Sequence, residues 1–224
     1  MNYMETKKQS RLKIIGLIGI AALAVAAFRQ VLQQSAIEKL AQRPLSIEVE
    51  PIRQSKPTSC GEAVIVMAYN YAYPGTPVSE QDVIEYATSQ GYFTEELSPF
   101  TSPADMVKIA RHYTGQITTG HVLNPSQGLY VLVQRLRARA GEPVIIDVLS
   151  NFSDPGSEAH FIVVTGISTD PNRENAIVIN YNDPLTGTKE VDDWSGDQGV
   201  WNAWQNNGDP GGAGWWMVIS PSQI

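Results

Sequence analysis

Helical patterns fill the first half of this chain and strand patterns the second, with little alternation between them. The spacing of apolar residues predicts a helix over 59–71, with Ser59 as N-cap and Glu62 three residues on as its capping-box partner. Ser79 and Asp82 open a second helix that Gly91 closes. Ser102, Pro103 and Asp105 open a third ending near Gly115, and Ser126 opens a fourth that Gly141 ends. From there the runs are short and rich in Val and Ile: 144–149, 161–167, 176–181 and 215–219, separated by Gly, Pro, Asn and Asp. An earlier strand is expected at 45–52, where Leu45, Ile47 and Val49 alternate with charged residues. Helices followed by strands give an α+β class. No internal repeat is present, and 42% apolar residues in 224 suffice for one packed core.

The N-terminus reads as an export signal. Lys7, Lys8, Arg11 and Lys13 precede an uncharged run from Ile14 to Phe28, and Ala24-Val25-Ala26 offers an A-x-A cleavage site. The run is shorter than the roughly 20 residues of a comfortable membrane span, so residues 1–28 form a signal peptide or a signal anchor. Residues 29–44 read as a polar helical stem, and 45–224 as the main domain. The positive charge before the run places that domain outside the cytoplasm, with membrane contact only through the N-terminal segment. The net charge of −7 argues against a nucleic-acid partner, which requires a basic face.

Cys60 is the single cysteine, which excludes an internal disulfide and any multi-cysteine metal site. Thiol catalysis needs a thiolate, a base for the proton and a donor for the oxyanion. Cys60 falls at the first turn of a predicted helix, where unpaired N–H groups favour a negative sulfur. Gly61 leaves room for a substrate carbonyl, and the Gln54 amide, six residues upstream, is placed to donate to an oxyanion. His160 begins a predicted strand and is the candidate base. Asp183, at the end of another strand, would accept from the other imidazole nitrogen; Asn182 and Asn180 are rival orienting groups, although strand parity points Asn182 the other way.

Other polar and aromatic clusters have blander readings. His112 and His121 fit a helix end and a surface loop. Asp192, Asp193 and Asp197 do not match EF-hand spacing. Met67 and the tyrosines 69, 71 and 73 fit core and rim packing. The five tryptophans fit the packing of the C-terminal β half, with one or two available to line a peptide groove.

The segments Gln54-Ser-Lys-Pro-Thr-Ser-Cys60-Gly61, Ala159-His160-Phe-Ile-Val-Val and Asn182-Asp183-Pro184-Leu-Thr-Gly187 resemble the papain-like cysteine peptidases. They are most similar to the branch related to bacteriocin-processing, double-glycine leader peptidases, over about Leu45 to Ile219. Phytochelatin synthases share the Gln54-to-Gly61 arrangement, but their multiple cysteines are missing here. The resemblance implies a helical half packed on an antiparallel β half with the site between them. It assigns Cys60 as nucleophile, His160 as base, Asp183 as orienting residue and Gln54 to the oxyanion hole. The expected activity is peptide-bond hydrolysis on a peptide or protein substrate, with no metal or organic cofactor. A transpeptidase or transglutaminase-like acyltransferase would use the same residues, and a silent binding module would keep only the scaffold. Specificity is expected from the loops 92–103, 150–158 and 192–214.

Overall fold

The computed structural model describes residues 44–95, 101–173 and 176–221. The expected signal or anchor and all of the stem except Pro44 lie outside the described residues. Among those described, no helix is long and apolar enough to cross a membrane.

Helix α1 (Cys60–Ala72) is apolar on every face, so it can be satisfied only by burial on all sides, and it is the central helix of the domain. It packs against α2 (Glu80–Ser89), α3 (Pro103–Tyr113) and one face of the sheet. Ser79 caps α2 through a full capping box with Asp82. Ser102 caps α3, with Pro103 in the first turn where its missing N–H costs nothing. Helix α4 (Pro125–Leu136) starts one residue earlier than its sequence pattern indicates, because Asn124 accepts from the Gln127 N–H and serves as cap. It also stops short of Gly141.

The expected capping box at Cys60 does not form. Ser59 makes no side-chain cap bond, and Glu62 is fully buried against Thr101 instead of reaching back to the helix start. Tertiary packing overrides the local motif there.

All strand pairings are antiparallel, in the order β2-β7-β3-β4-β5-β6. The strands are β2 (Ile117–His121), β3 (Val144–Leu149), β4 (Ala159–Thr169), β5 (Ile177–Asp183), β6 (Thr188–Asp193) and β7 (Trp215–Ile219). The 11-residue β4 is the spine: β3 runs beside its first half, and the short β1 (Leu45–Ser46) pairs with Ile167 and Gly166 where β3 has ended. The strand expected over 45–52 is therefore mostly absent. Beyond Ile47, whose N–H donates to Thr165 O, the segment is held by a side chain, as Asn182 Nδ2 donates to Val49 O at 2.9 Å.

Edge strands β2 and β6 and the short helix α5 (Val200–Gln205) carry no pattern that marks them in the sequence. The main core lies between α1–α3 and one sheet face, where Ile145, Phe161, Val163, Trp215 and Met217 meet Ile65 and Met67. The tryptophans do pack the β half. Trp194, Trp201 and Trp204 cluster with ring centroids 5.7–6.4 Å apart, and Trp204 Nε1 donates to Trp215 O. The class is α+β, with mixed helices on an antiparallel sheet.

Candidate active site

The loop before Cys60 is tied down by its own side chains and by one residue from α2. Gln54 Nε2 donates to Lys56 O at 2.9 Å and to Pro57 O at 2.8 Å. The Ser59 hydroxyl accepts from the Lys56 N–H at 3.0 Å. Glu80 accepts from the Ser55 N–H with both carboxylate oxygens, at 3.0 Å each, and from the Ser59 hydroxyl at 2.7 Å. Both donors of the Gln54 amide are thus used inside the loop, and its Oε1 is buried with no partner among the described residues. Here Gln54 shapes the turn that delivers Cys60; donation to an oxyanion requires it to exchange one carbonyl for the substrate. Gln54 N also donates to Pro184 O at 2.8 Å, which joins this loop to the turn after β5.

Cys60 opens α1 and is partly exposed. Gly61 behind it is buried, and its bareness serves packing: a Cβ there would lie 2.7 Å from Met106 Sδ and 3.6 Å from the Phe161 ring. His160, on β4, is buried, and its ring hydrogen-bonds with the Cys60 thiol. Its Nε2 lies 2.7 Å from Asp183 Oδ1, which leaves Nδ1 as the ring nitrogen for the sulfur. Asp183 Oδ1 also accepts from the Leu185 N–H at 2.7 Å.

These contacts decide charge. Burial opposes the His160 imidazolium, but the bonds to Asp183 and Cys60 outweigh it and raise its pKa to about 10. Burial likewise opposes the Asp183 carboxylate, yet donation from His160 and from the Leu185 and Thr186 N–H groups holds its pKa below the usual range. The arrangement is a thiol, an imidazole kept charged and an ionised carboxylate in line.

Asn182 faces away, into the core beside Val49 and Met67. Asn180 packs its side chain beside Gly166. His112 stacks on Tyr86 with centroids 3.7 Å apart. His121 is not in a loop: it ends β2, and its Nε2 lies 2.9 Å from Gly211 O. Asp192 accepts from the Tyr181 hydroxyl, and Asp193 pairs with Arg173. Among the described residues no group of three or more His, Cys, Asp or Glu side chains is placed to hold a metal ion.

Of three further carboxyl groups around Cys60, the sequence reading missed Glu80 and Asp147 and took Glu62 only for a helix cap. Glu80 braces the loop. Glu62, two residues past Cys60, is fully buried; burial pushes its pKa up to about 7, and Thr101 Oγ1 at 2.6 Å is its partner. Asp147, on β3, is also fully buried, and burial followed by the nearby Asp209 carboxyl pushes its pKa well above the usual range. For Asp147 the available signal was an acid inside an apolar run, Val-Ile-Ile-Asp-Val-Leu, since a buried strand interior rarely keeps one; Glu62 stands only at the head of Ala-Val-Ile-Val. No protein-family model matches the chain, and a search of curated proteins finds no match to it either.

Proposed function

We propose that this protein is an exported cysteine peptidase of the papain-like type, with a Cys60–His160–Asp183 triad. The observation that carries the reading is the His160 ring bonded on one side to Cys60 and on the other, at 2.7 Å, to Asp183. A histidine on the sheet is thereby linked to a cysteine at a helix N-terminus, the arrangement thiol catalysis needs. Helices α1–α3 on one face of an antiparallel sheet, with the reactive residues where α1 meets the start of β4, support a papain-like fold. Export rests on the N-terminal charge and apolar run.

In the proposed reaction the Cys60 thiolate attacks a peptide carbonyl carbon. Negative charge collects on the carbonyl oxygen, facing the Cys60 N–H, which opens α1 and has no partner within it. The C–N bond breaks as His160 gives its proton to the leaving amine. A water then loses a proton to His160 and attacks the thioester, releasing the acid and restoring the thiolate. Asp183 keeps the ring oriented and balances its charge.

Cys60→Ala should abolish cleavage of a peptide library and leave the thermal transition within a few degrees of wild type; retained cleavage ends the proposal. Wild-type Cys60 should react with iodoacetamide well below pH 7 and lose that reactivity in His160→Ala. If added amines capture the acyl group in place of water, the same residues serve an acyltransferase.

A further inference from the structure

Asp147 takes no part in the steps above, yet it is a fully buried acid beside them. It pairs with Phe161 across β3 and β4, one position from the Val148–His160 pair, at the catalytic end of the sheet. Its backbone is held by Asn207, whose Nδ2 donates to Asp147 O at 2.8 Å. Its carboxyl lies beneath the loop 206–214. Gly212 passes so close that a Cβ there would collide with Asp147 Oδ2 and lie 2.7 Å from Asn207 Oδ1. The loop closes on itself through Asp209 N to Asn207 Oδ1 at 3.0 Å, Gly212 N to Asp209 O at 2.8 Å and Trp215 N to Gly212 O at 2.8 Å.

Neither oxygen of Asp147 receives a hydrogen bond from an amide, amine or hydroxyl group among the described residues, and Asp209 Oδ2 receives none either. The partner of each carboxyl is the other. Two carboxyl groups can bond only if one keeps its proton, because two carboxylates at that distance repel in a poorly solvated site. Asp147 is the more buried and is the donor; Asp209, on the half-exposed loop, is the acceptor.

We infer that Asp147 is a positioning residue: it donates one acid proton to the Asp209 carboxylate, and this bond latches the 206–214 loop onto the catalytic end of the sheet. The groups facing Asp147 are Asp209 from the loop, Cys60 from α1 and His160 from β4; Asp183 of β5 stands behind His160, and His121 of β2 bonds the loop at Gly211. The Cys60 charge and the Asp209 charge both disfavour ionisation of Asp147, and His160 favours it. A neutral Asp147 therefore adds no further negative charge beside the sulfur and the imidazolium. Raising the pH removes the latch proton, sets two negative charges under Gly212 and frees the loop.

The inference rests on the peptidase reading for its effect on turnover, but the latch is read without substrate. Amide hydrogen exchange of the full chain, corrected for the intrinsic base-catalysed rate, is followed from pH 5 to pH 10 at Gly212 and Gly214, with Val163 of β4 as reference. Protection of the loop should fall about tenfold or more with rising pH while Val163 stays constant. In Asp147→Asn and in Asp209→Asn an amide donor replaces the acid proton, so the fall should shrink to about twofold or less. If Asp147→Asn fails to fold, Asp209→Asn on the half-exposed loop carries the test. Loop protection flat with pH in wild type, or falling equally in the Asn variants, overturns the latch. So does alkaline protection restored by calcium chloride, which would make the pair a cation site. Iodoacetamide reactivity of Cys60, measured on the same samples, separates the outcomes: a reactive Cys60 with a pH-independent loop sinks the latch alone. A responsive loop with an inert Cys60 sinks the peptidase reading alone.

Discussion

Asp183 and Asp147 lie on the two strands that flank His160, β5 on one side of β4 and β3 on the other, and their pKa values are shifted in opposite directions. Both are penalised by burial. Asp183 overcomes that penalty because three N–H groups, from His160, Leu185 and Thr186, donate to it. Asp147 meets only another acid and keeps its proton. Depth alone does not set the charge of a buried carboxyl; the count of donors aimed at it does. The signs of the pH dependence differ accordingly. The stabilisation from Asp183 is present above the ordinary 3.8 and is lost as pH falls through its lowered value. That from His160 is full below 6.5 and is lost as pH rises through about 10. Ionising Asp147 in the folded state is unfavourable, so its contribution declines as pH climbs above 3.8.

The most damaging way to break the comparison is to remove the charge on its ionised side. Asp183→Asn keeps the shape but presents an amide to His160 Nε2. The ring loses its reason to stay protonated, and its tautomer is no longer fixed for Cys60. Turnover should drop on the order of a thousandfold with KM little changed. The low-pH reactivity of Cys60 toward iodoacetamide should shrink with it. A drop under tenfold would show that Asp183 merely closes the turn before Pro184.

Glu62 sharpens the comparison from the neutral side. Like Asp147 it is buried without N–H donors from other residues; its partner is the Thr101 hydroxyl, which donates to Glu62 Oε1 at 2.6 Å and also lies 3.1 Å from Tyr92 O. A carboxyl raised from 4.5 to about 7 makes folding less favourable as pH rises between those values. Glu62→Gln removes that titration. The variant should gain on the order of 3 kcal/mol on wild type between pH 5 and pH 8, measured by urea unfolding at each pH. A difference that does not vary with pH would mean Glu62 is ionised throughout and satisfied by a donor.

What the sequence revealed follows the same division. Cys60, His160 and Asp183 stood out because each sits at the boundary of an element: the start of α1, the start of β4 and the end of β5. The strands 144–149 and 215–219 were legible because burial on both faces leaves continuous apolar runs. Strands β2 (Ile-Thr-Thr-Gly-His) and β6 (Thr-Lys-Glu-Val-Asp-Asp) were not, since an edge strand takes its pairing from a neighbour and shows polar residues to solvent. The Ser59–Glu62 spacing suggested a cap, but a cap needs the glutamate at the surface, and α1 is buried all round. The acid pair was illegible because Asp147 and Asp209 are 62 positions apart and meet only when the loop folds back onto β3.

The smallest test concerns Glu80, a fourth carboxyl group near Cys60, supplied with donors as Asp183 is. It accepts from the Ser55 N–H and the Ser59 hydroxyl and so braces the loop whose other brace is Gln54. Glu80→Gln keeps one acceptor oxygen but turns an amide N–H toward the donors that the second oxygen served. The cost to folding should be about 1 kcal/mol, the ordinary net worth of such a bond. Because the loop delivers Cys60 to His160, the alkylation rate of Cys60 should fall several-fold while the pH at which it rises stays in place. A shifted pH profile would instead mean that Glu80 contributes directly to the charge balance at the sulfur, and that donors decide the behaviour of all four carboxyl groups around Cys60 less completely than Asp183 and Asp147 indicate.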